Sequence, residues 1–428
     1  MLPGWKSTSL AVALAGVACA APFGCVHARR SPIDEAKLLD LRTEYLAQAS
    51  VENEAQIDRI VARLKRQHDE AVAAGQPLET YEVLVISGGG DYGAFGAGLL
   101  KGWSAVRDPR WTKPDFDLVT GVSTGALIAP FAFVGDDESL ERVDRIYREP
   151  KDDWAILRGL LFFLPDNPSL LSNDGLRRDI DVAVNEDLIR KMAARAAEGR
   201  ACDISATNLD FGLRRVWDLG HEANLVVDGG SSPERLRSML LASSAIPAAF
   251  PPIEIDNHLY CDGAVTSNIL YNANMRSPSS VLSRWKDRYP ELPLPHIRFW
   301  VIINSQLEQI PRIVQPNWLA VTEAAAEAIV RSATAQSVEL LARELALIEA
   351  AGLTDVELLV ASIPPSWRPP KEGIFQRETM ESLAQLGERL GAMPSDAWVA
   401  GSPIPAPIGP AGKPGEAVKI PKESAIEK

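Results

Sequence analysis

Histidine and cysteine are scarce in this chain: 428 residues hold five of the first and four of the second. They form no cluster with metal-ligand spacing, and no carboxylate run resembles a calcium loop, so neither a metal nor another cofactor is expected. Positive charge is also in deficit. The 44 Lys and Arg face 57 Asp and Glu, and the net charge of −13 argues against nucleic acid as a partner. It gives no general attraction to anionic membranes either. Past the first 25 residues no apolar run is long enough to span a bilayer, and there is no internal repeat. What is present is a 46% apolar chain, enough for a full core in one large domain with extensions.

The extensions lie at the ends. A single Lys6, an apolar stretch over 10–18 and then small residues make residues 1–25 read as a secretory leader. Cys19 and Cys25 are each placed as a bacterial lipidation site, with plain cleavage near Ala20 or Ala21 as the alternative. The expectation is an exported protein, either a membrane-anchored lipoprotein or periplasmic. Residues 31–80 read as a charged helical extension, with Leu38, Leu41, Tyr45, Ile57, Ile60 and Leu64 at helical spacing. From 403 to 428 the chain is rich in Pro, Gly and Lys and reads as a disordered tail. Between them, over 81–400, strands are predicted at 83–87, 116–120, 202–207, 216–219, 259–261, 297–304 and 356–362. Helices alternate with them, which predicts a three-layer α/β/α fold. A long helix is predicted from Ala320 to Ala351, and Cys202 and Cys261 read as buried thiols with no disulfide indicated.

The most informative segment is 81–100, YEVLVISGGGDYGAFGAGLL. An apolar strand breaks into Gly88, Gly89 and Gly90, then enters a helix of small residues. Such a corner leaves backbone N–H groups free to face an anion at the positive end of a helix. Gly88, Gly90 and Gly93 also spell a dinucleotide fingerprint, but that fold needs an acidic residue at the end of the next strand. Asp115 and Asp117 stand at its beginning, and Asp108 lies in a turn-rich stretch. The cofactor reading fails.

The next strand runs into Gly121-Val122-Ser123-Thr124-Gly125, a G-x-S-x-G pentapeptide between an extended run and a small-residue helix. This is the strand–turn–helix setting of a nucleophile elbow, although a turn serine capping a helix would look the same. A serine hydroxyl needs a base. Of His27, His68, His221, His258 and His296, only His296 both follows the serine and begins a strand. A carboxylate is the better candidate: Asp262, at the end of a predicted strand and followed by Gly263-Ala264.

These three motifs, in this order, resemble the patatin-like phospholipases. Residues 242–247 and 250–252, ASSAIP and FPP, and 206–209, ATNL, add to the likeness, which spans about 81–310. The resemblance implies a patatin-like fold with a central, mostly parallel sheet, and lipid acyl hydrolysis by a Ser123–Asp262 dyad without histidine or metal. Ser123 would form an acyl-enzyme, Asp262 would take its proton and later activate water, and the Gly88, Gly89, Gly90 and Gly93 corner would hold the oxyanion. Gly121 and Gly125 would flank the nucleophile. The substrate would be a lipid ester or phospholipid at a membrane surface; the oligomeric state stays open. Many members place Arg or Lys where this chain has Tyr92, which removes a positive charge at the corner. Leu160, Leu161, Phe162, Phe163 and Leu164 read either as a buried helix end or as the wall of an acyl pocket. A conventional Ser123–Asp262–His296 triad and a silent lipid-binding protein are the alternatives.

Overall fold

A strand buried on both faces needs a layer of helices on each side, and the first strand, β1 (Tyr81–Ile86), has that character. Val83 and Val85 enter one core, Leu84 and Ile86 another, and all four are fully buried. The computed structural model describes residues 30, 32–158, 168–271, 280–308 and 311–401, apart from the side chains of 318, 319 and 323. The leader with Cys19 and Cys25, the apolar cluster 160–164 and the tail 403–428 lie outside the described residues.

The remaining strands are β2 (Leu118–Val122), β3 (Ile156–Leu157), β4 (Leu171–Ser172), β5 (Ala201–Asn208), β6 (Leu213–Asp218) and β7 (Ile253–Ile255). They continue with β8 (His258–Asp262), β9 (Ile297–Ile303), β10 (Val356–Ser362) and β11 (Val399–Ala400). Helices α1 (Glu35–Ala74), α2 (Gly93–Ser104), α3 (Thr124–Val134), α4 (Asp137–Arg148), α5 (Asp174–Ala183) and α6 (Glu186–Ala197) come first. After them come α7 (Leu219–Val227), α8 (Pro233–Ser243), α9 (Val281–Arg288), α10 (Trp318–Ala350), α11 (Arg377–Ala392) and α12 (Pro394–Ala397).

The central sheet has the order β11-β10-β9-β1-β2-β5 and is parallel from β10 to β5. The short β11 runs antiparallel to β10, and at the other side β6 and the β7–β8 hairpin pair antiparallel with β5. The result is the expected mixed α/β architecture, a mostly parallel sheet flanked by helices. The seven anticipated strands are present, and β2 sits two residues later because its register with β1 begins at Val83↔Leu118. Four further strands were not anticipated: β3, β4, β7 and β11 have two or three residues each, too few to show a period.

Two helical layers cover the sheet. One core joins Val83, Val85, Phe299 and Val301 to α1, α9 and α10; the other joins Leu84, Ile86, Trp300 and Ile302 to α2, α3, α4, α8 and α11. In α1, Asp34 caps the start by accepting the Lys37 N–H, and Gly75 at φ 64° ends the helix. The apolar set of α1 divides: Ile57, Ile60 and Leu64 are buried, whereas Leu38, Leu41 and Tyr45 are half-exposed. Small residues on α2 have a packing reason. A Cβ at Gly98 or Gly102 would overlap the backbone carbonyls of Ala384 and Glu388 on α11. No described helix is long and apolar enough to cross a membrane.

Candidate active site

Strand β5 is the template on which the site is assembled. β2 runs parallel to it and ends at Val122, opposite Ser205. β8 runs antiparallel and ends at Asp262, opposite Ala206. β6 pairs with β5 from Asp203 to Asn208, so β2 and β8 share the other edge and meet end to end. Ser123, the residue after β2, therefore arrives beside Asp262, and its hydroxyl donates to Asp262 Oδ2 at 2.7 Å. Both residues are buried.

Ser123 occupies φ 54°, ψ −123°, a region that costs a side-chain-bearing residue about 1–3 kcal/mol. The surroundings hold it there. Its N–H donates to Ser243 Oγ at 3.1 Å, and the Ser243 hydroxyl donates to the Ser205 carbonyl at 2.7 Å. The turn closes tightly because Gly121 and Gly125 carry no Cβ. At Gly121 one would overlap the Gly125 carbonyl, and at Gly125 the Ile86 carbonyl. Ser123 is the N-cap of α3, so its Oγ lies at the positive end of that helix.

Asp262 is clamped on four sides. Its N–H donates to the Ala245 carbonyl at 2.9 Å, and its carbonyl accepts from Thr207 Oγ1 at 3.0 Å. Its Oδ1 accepts the Ala264 N–H at 2.8 Å, and Oδ2 takes the serine hydroxyl. Residues 242–247 and 206–209, noted in the sequence for their likeness alone, thus supply the backbone and hydroxyl groups that orient the carboxylate. Burial pushes Asp262 up to about 6, against the pull of the Ser123 and Ala264 hydrogen bonds.

The glycine corner lies next to this pair. Gly88 is the nearest: a Cβ on it would sit 3.1 Å from Ser123 Cβ. Gly88 donates its N–H to the Asn268 carbonyl at 3.2 Å. Gly89 passes so close to Asn304 that a Cβ would overlap the Asn304 carbonyl oxygen, while Gly90, at φ 60°, has open space around it. Asn304, just after β9, braces the corner by donating its N–H to Ser87 Oγ and its side-chain amide to the Ser87 carbonyl, at 2.8 and 2.9 Å. It also accepts the Gly96 N–H at 3.0 Å. Gly93 starts α2 against Thr124, with no room for a side chain. Among the described residues the N–H groups of Gly89 and Gly90 meet no protein acceptor.

From Ser123 and Gly90 a cavity of about 750 Å³, mouth included, leads between α3, α4, α5 and α8. Leu127, Phe131, Ile146, Leu176, Ile180 and Leu240 are among its apolar walls. None of these was singled out in the sequence, since in their own helices they look like ordinary core positions. Asn268 and Asn304 were missed as well, because single polar residues carry no spacing signal, and Ser243 stood in the run 242–247 without a role of its own. Cys202 and Cys261 are free, buried thiols.

His296 lies elsewhere. It precedes β9 and pairs with Thr80 Oγ1 at 3.4 Å, beside the start of β1, whereas the glycine corner follows the end of β1. A seven-residue strand separates the two ends, about 20 Å at ~3.3 Å per residue. The triad alternative fails on that separation, and the direct Ser123–Asp262 bond leaves no gap for an imidazole. His68, His221 and His258 make no hydrogen bond to either residue. Among the described residues no group of three or more His, Cys, Asp or Glu has a metal-binding arrangement.

No curated protein matches this chain. The crystal structure of VipD from Legionella pneumophila resembles it over 76% of this chain and 68% of that one, at 10% identity and a TM-score of 0.33. Residues 84–273 match the family model described as patatin-like phospholipase, a span that holds the glycine corner, Ser123 and Asp262. Over those residues the chain is similar to the patatin-like phospholipases.

Proposed function

We propose that the protein is a serine lipid acyl hydrolase that works through Ser123 and Asp262 without histidine. The observation that carries this reading is the 2.7 Å hydrogen bond from a strained, buried serine, which lines an apolar cavity, to a buried aspartate. An acyl chain fills the cavity and brings its ester carbonyl to Ser123. Ser123 Oγ attacks the carbonyl carbon while its proton passes to Asp262 Oδ2, whose raised basicity suits it to accept. The oxyanion is stabilised by the unpaired N–H groups of Gly89 and Gly90. Collapse expels the alcohol, which takes the proton back from Asp262 and leaves an acyl-Ser123 ester. Asp262 then takes a proton from water as the water oxygen attacks the ester, and on collapse the leaving Ser123 Oγ takes that proton back from Asp262, releasing fatty acid and regenerating the free serine.

The substrate class is a glycerophospholipid or neutral lipid ester. The leader-like sequence supports an exported protein, anchored through Cys19 or Cys25 at a membrane that supplies the lipid. The deciding experiment incubates the purified protein with defined phospholipids and neutral glycerides and identifies products by mass spectrometry, with a fluorophosphonate probe to mark the nucleophile. Fatty acid release together with labelling of Ser123 supports the reading. Tight lipid binding with neither release nor labelling would make the protein a silent lipid carrier instead.

A further inference from the structure

One wall of the cavity comes from well beyond the matched segment. Phe375, in the connection between β10 and α11, lines it together with Gly90 and Ser123. Its backbone is left-handed, φ 53°, two residues after Gly373 at φ 113°, so the chain doubles back around the exposed Ile374. Phenylalanine is strained in that region by about 1–2 kcal/mol, and a specific set of contacts keeps it there. The Phe375 N–H donates to Asp91 Oδ2 at 3.1 Å. Its ring stands edge-on to Trp154, 5.6 Å between centroids and 88° between planes. Trp154 is fixed in turn by donating Nε1–H to Asp179 Oδ2 at 2.6 Å, and both of those residues line the same cavity.

Behind the turn, the connection is anchored to α11: Lys371 N–H donates to Thr379 Oγ1 at 3.2 Å and its carbonyl accepts from that hydroxyl at 2.6 Å. Among the described residues, the bond to Asp91 is the one hydrogen bond that ties 372–375 to the glycine corner. Burial pushes Asp91 up to about 6, so at neutral pH it is a carboxylate and the bond is charge-assisted.

We propose that Phe375 is the gate that selects which acyl groups enter the cavity, and that Asp91 is the positioning residue that latches it. The inference rests on the acyl-hydrolase reading of the cavity. Latched, the Phe375 ring opposes Trp154 and narrows the mouth around a linear chain. Unlatched, the turn relaxes to an ordinary φ, the mouth widens, linear chains lose a wall and branched acyl groups gain entry.

The test compares Asp91→Ala, Asp91→Asn and Phe375→Gly with the unmodified protein. Phe375→Gly removes the ring and relieves the backbone at once, so it folds even if the strained turn matters for stability. The first readout is the ratio of kcat/KM for dodecanoyl over 2-ethylhexanoyl p-nitrophenyl ester. It should fall about tenfold in Asp91→Ala and Phe375→Gly, the scale on which a pocket wall discriminates apolar groups. Asp91→Asn keeps an acceptor oxygen and should hold the ratio within about twofold. The second readout is dodecanoate binding by calorimetry in a Ser123→Ala background, which should weaken in the same two variants. Equal losses for both esters at an unchanged ratio would make Asp91 a support of the glycine corner and overturn the gate. Unchanged dodecanoate binding would overturn it too. If no ester is turned over by any form, the binding series still decides the gate, and only the hydrolase reading falls.

Discussion

β1 and β2 are neighbours in one parallel sheet, and each runs into a helix through a tight corner, yet the two corners are built for opposite uses. After β1 the chain discards side chains, so that Gly89 and Gly90 present bare amides that meet no acceptor among the described residues. After β2 it keeps one side chain, that of Ser123, and forces its backbone to φ 54° to project it. The second corner also depends on the first. Gly125 packs against the Ile86 carbonyl, and Gly88 leaves room for the Ser123 side chain. On the proposed reading, one architectural element supplies backbone dipoles at the first corner and a nucleophile at the second, and glycine placement decides which.

Removing the side chain from the second corner should have the largest effect. Ser123→Ala should lower hydrolysis of a soluble ester by about 10⁴-fold or more while circular dichroism stays unchanged, since one hydroxyl is lost. Asp262→Asn should come close to it, because an amide cannot accept the proton. His296→Ala, at the far end of the sheet, should keep most of the activity. A folded but inactive His296→Ala variant would contradict the geometry of the dyad.

Adding a side chain to the first corner should sort its glycines. Gly89→Ala places a methyl on the Asn304 carbonyl, so the corner must move, and kcat should drop by about 10²–10³-fold or the fold should fail. Gly90→Ala meets open space and carries only the left-handed penalty, about 1 kcal/mol in stability. Similar losses at the two positions, measured by ester kinetics and thermal melts, would mean that the amides are not what this corner supplies.

The pH profile sharpens the role of the carboxylate. Asp262 must be ionised to accept a proton, so kcat/KM should fall about tenfold per pH unit below about 6 and level off above it. Asp91 titrates in the same range, and an Asp91→Asn variant that keeps the acid limb would assign that limb to Asp262.

The smallest effect is on stability, and its sign is diagnostic. The folded Asp262 has its pKa raised from 3.8 to about 6, so its favourable contribution is full below the unfolded value and is lost as pH rises through about 6. At pH 8 the ionised, buried group should cost of the order of 1–3 kcal/mol, since a tenfold change in proton affinity is worth about 1.4 kcal/mol. Asp262→Asn should therefore melt higher than the unmodified protein at pH 8, with the gap closing towards pH 4. A gap independent of pH would show that another change is responsible.

Most of the sheet could be read from the sequence because its long strands are continuous apolar runs; β10, 356–362, was placed to the residue. β3, β4, β7 and β11 were not, since strands of two or three residues owe their existence to partners rather than to their own pattern. Both corners were legible for a local reason: a strand, a glycine turn and a small-residue helix lie within about a dozen residues of each other. Asp262 was legible only beside the two motifs upstream, as aspartate followed by glycine is also a common turn.

By itself, the sequence determined the local conformations: where strands stop, where a helix dipole begins, and which residue stands at the tip of each turn. Tertiary structure decided everything that depends on segments far apart in the chain. It brought Asp262 to Ser123 across 139 positions by setting β2 and β8 end to end on β5. It also took the cavity wall from four helices and from Phe375, 284 positions beyond Asp91. The physical reason is range. Backbone sterics and helix capping act over a few residues and leave a pattern in the sequence, whereas strand register and side-chain packing join residues whose separation along the chain leaves none.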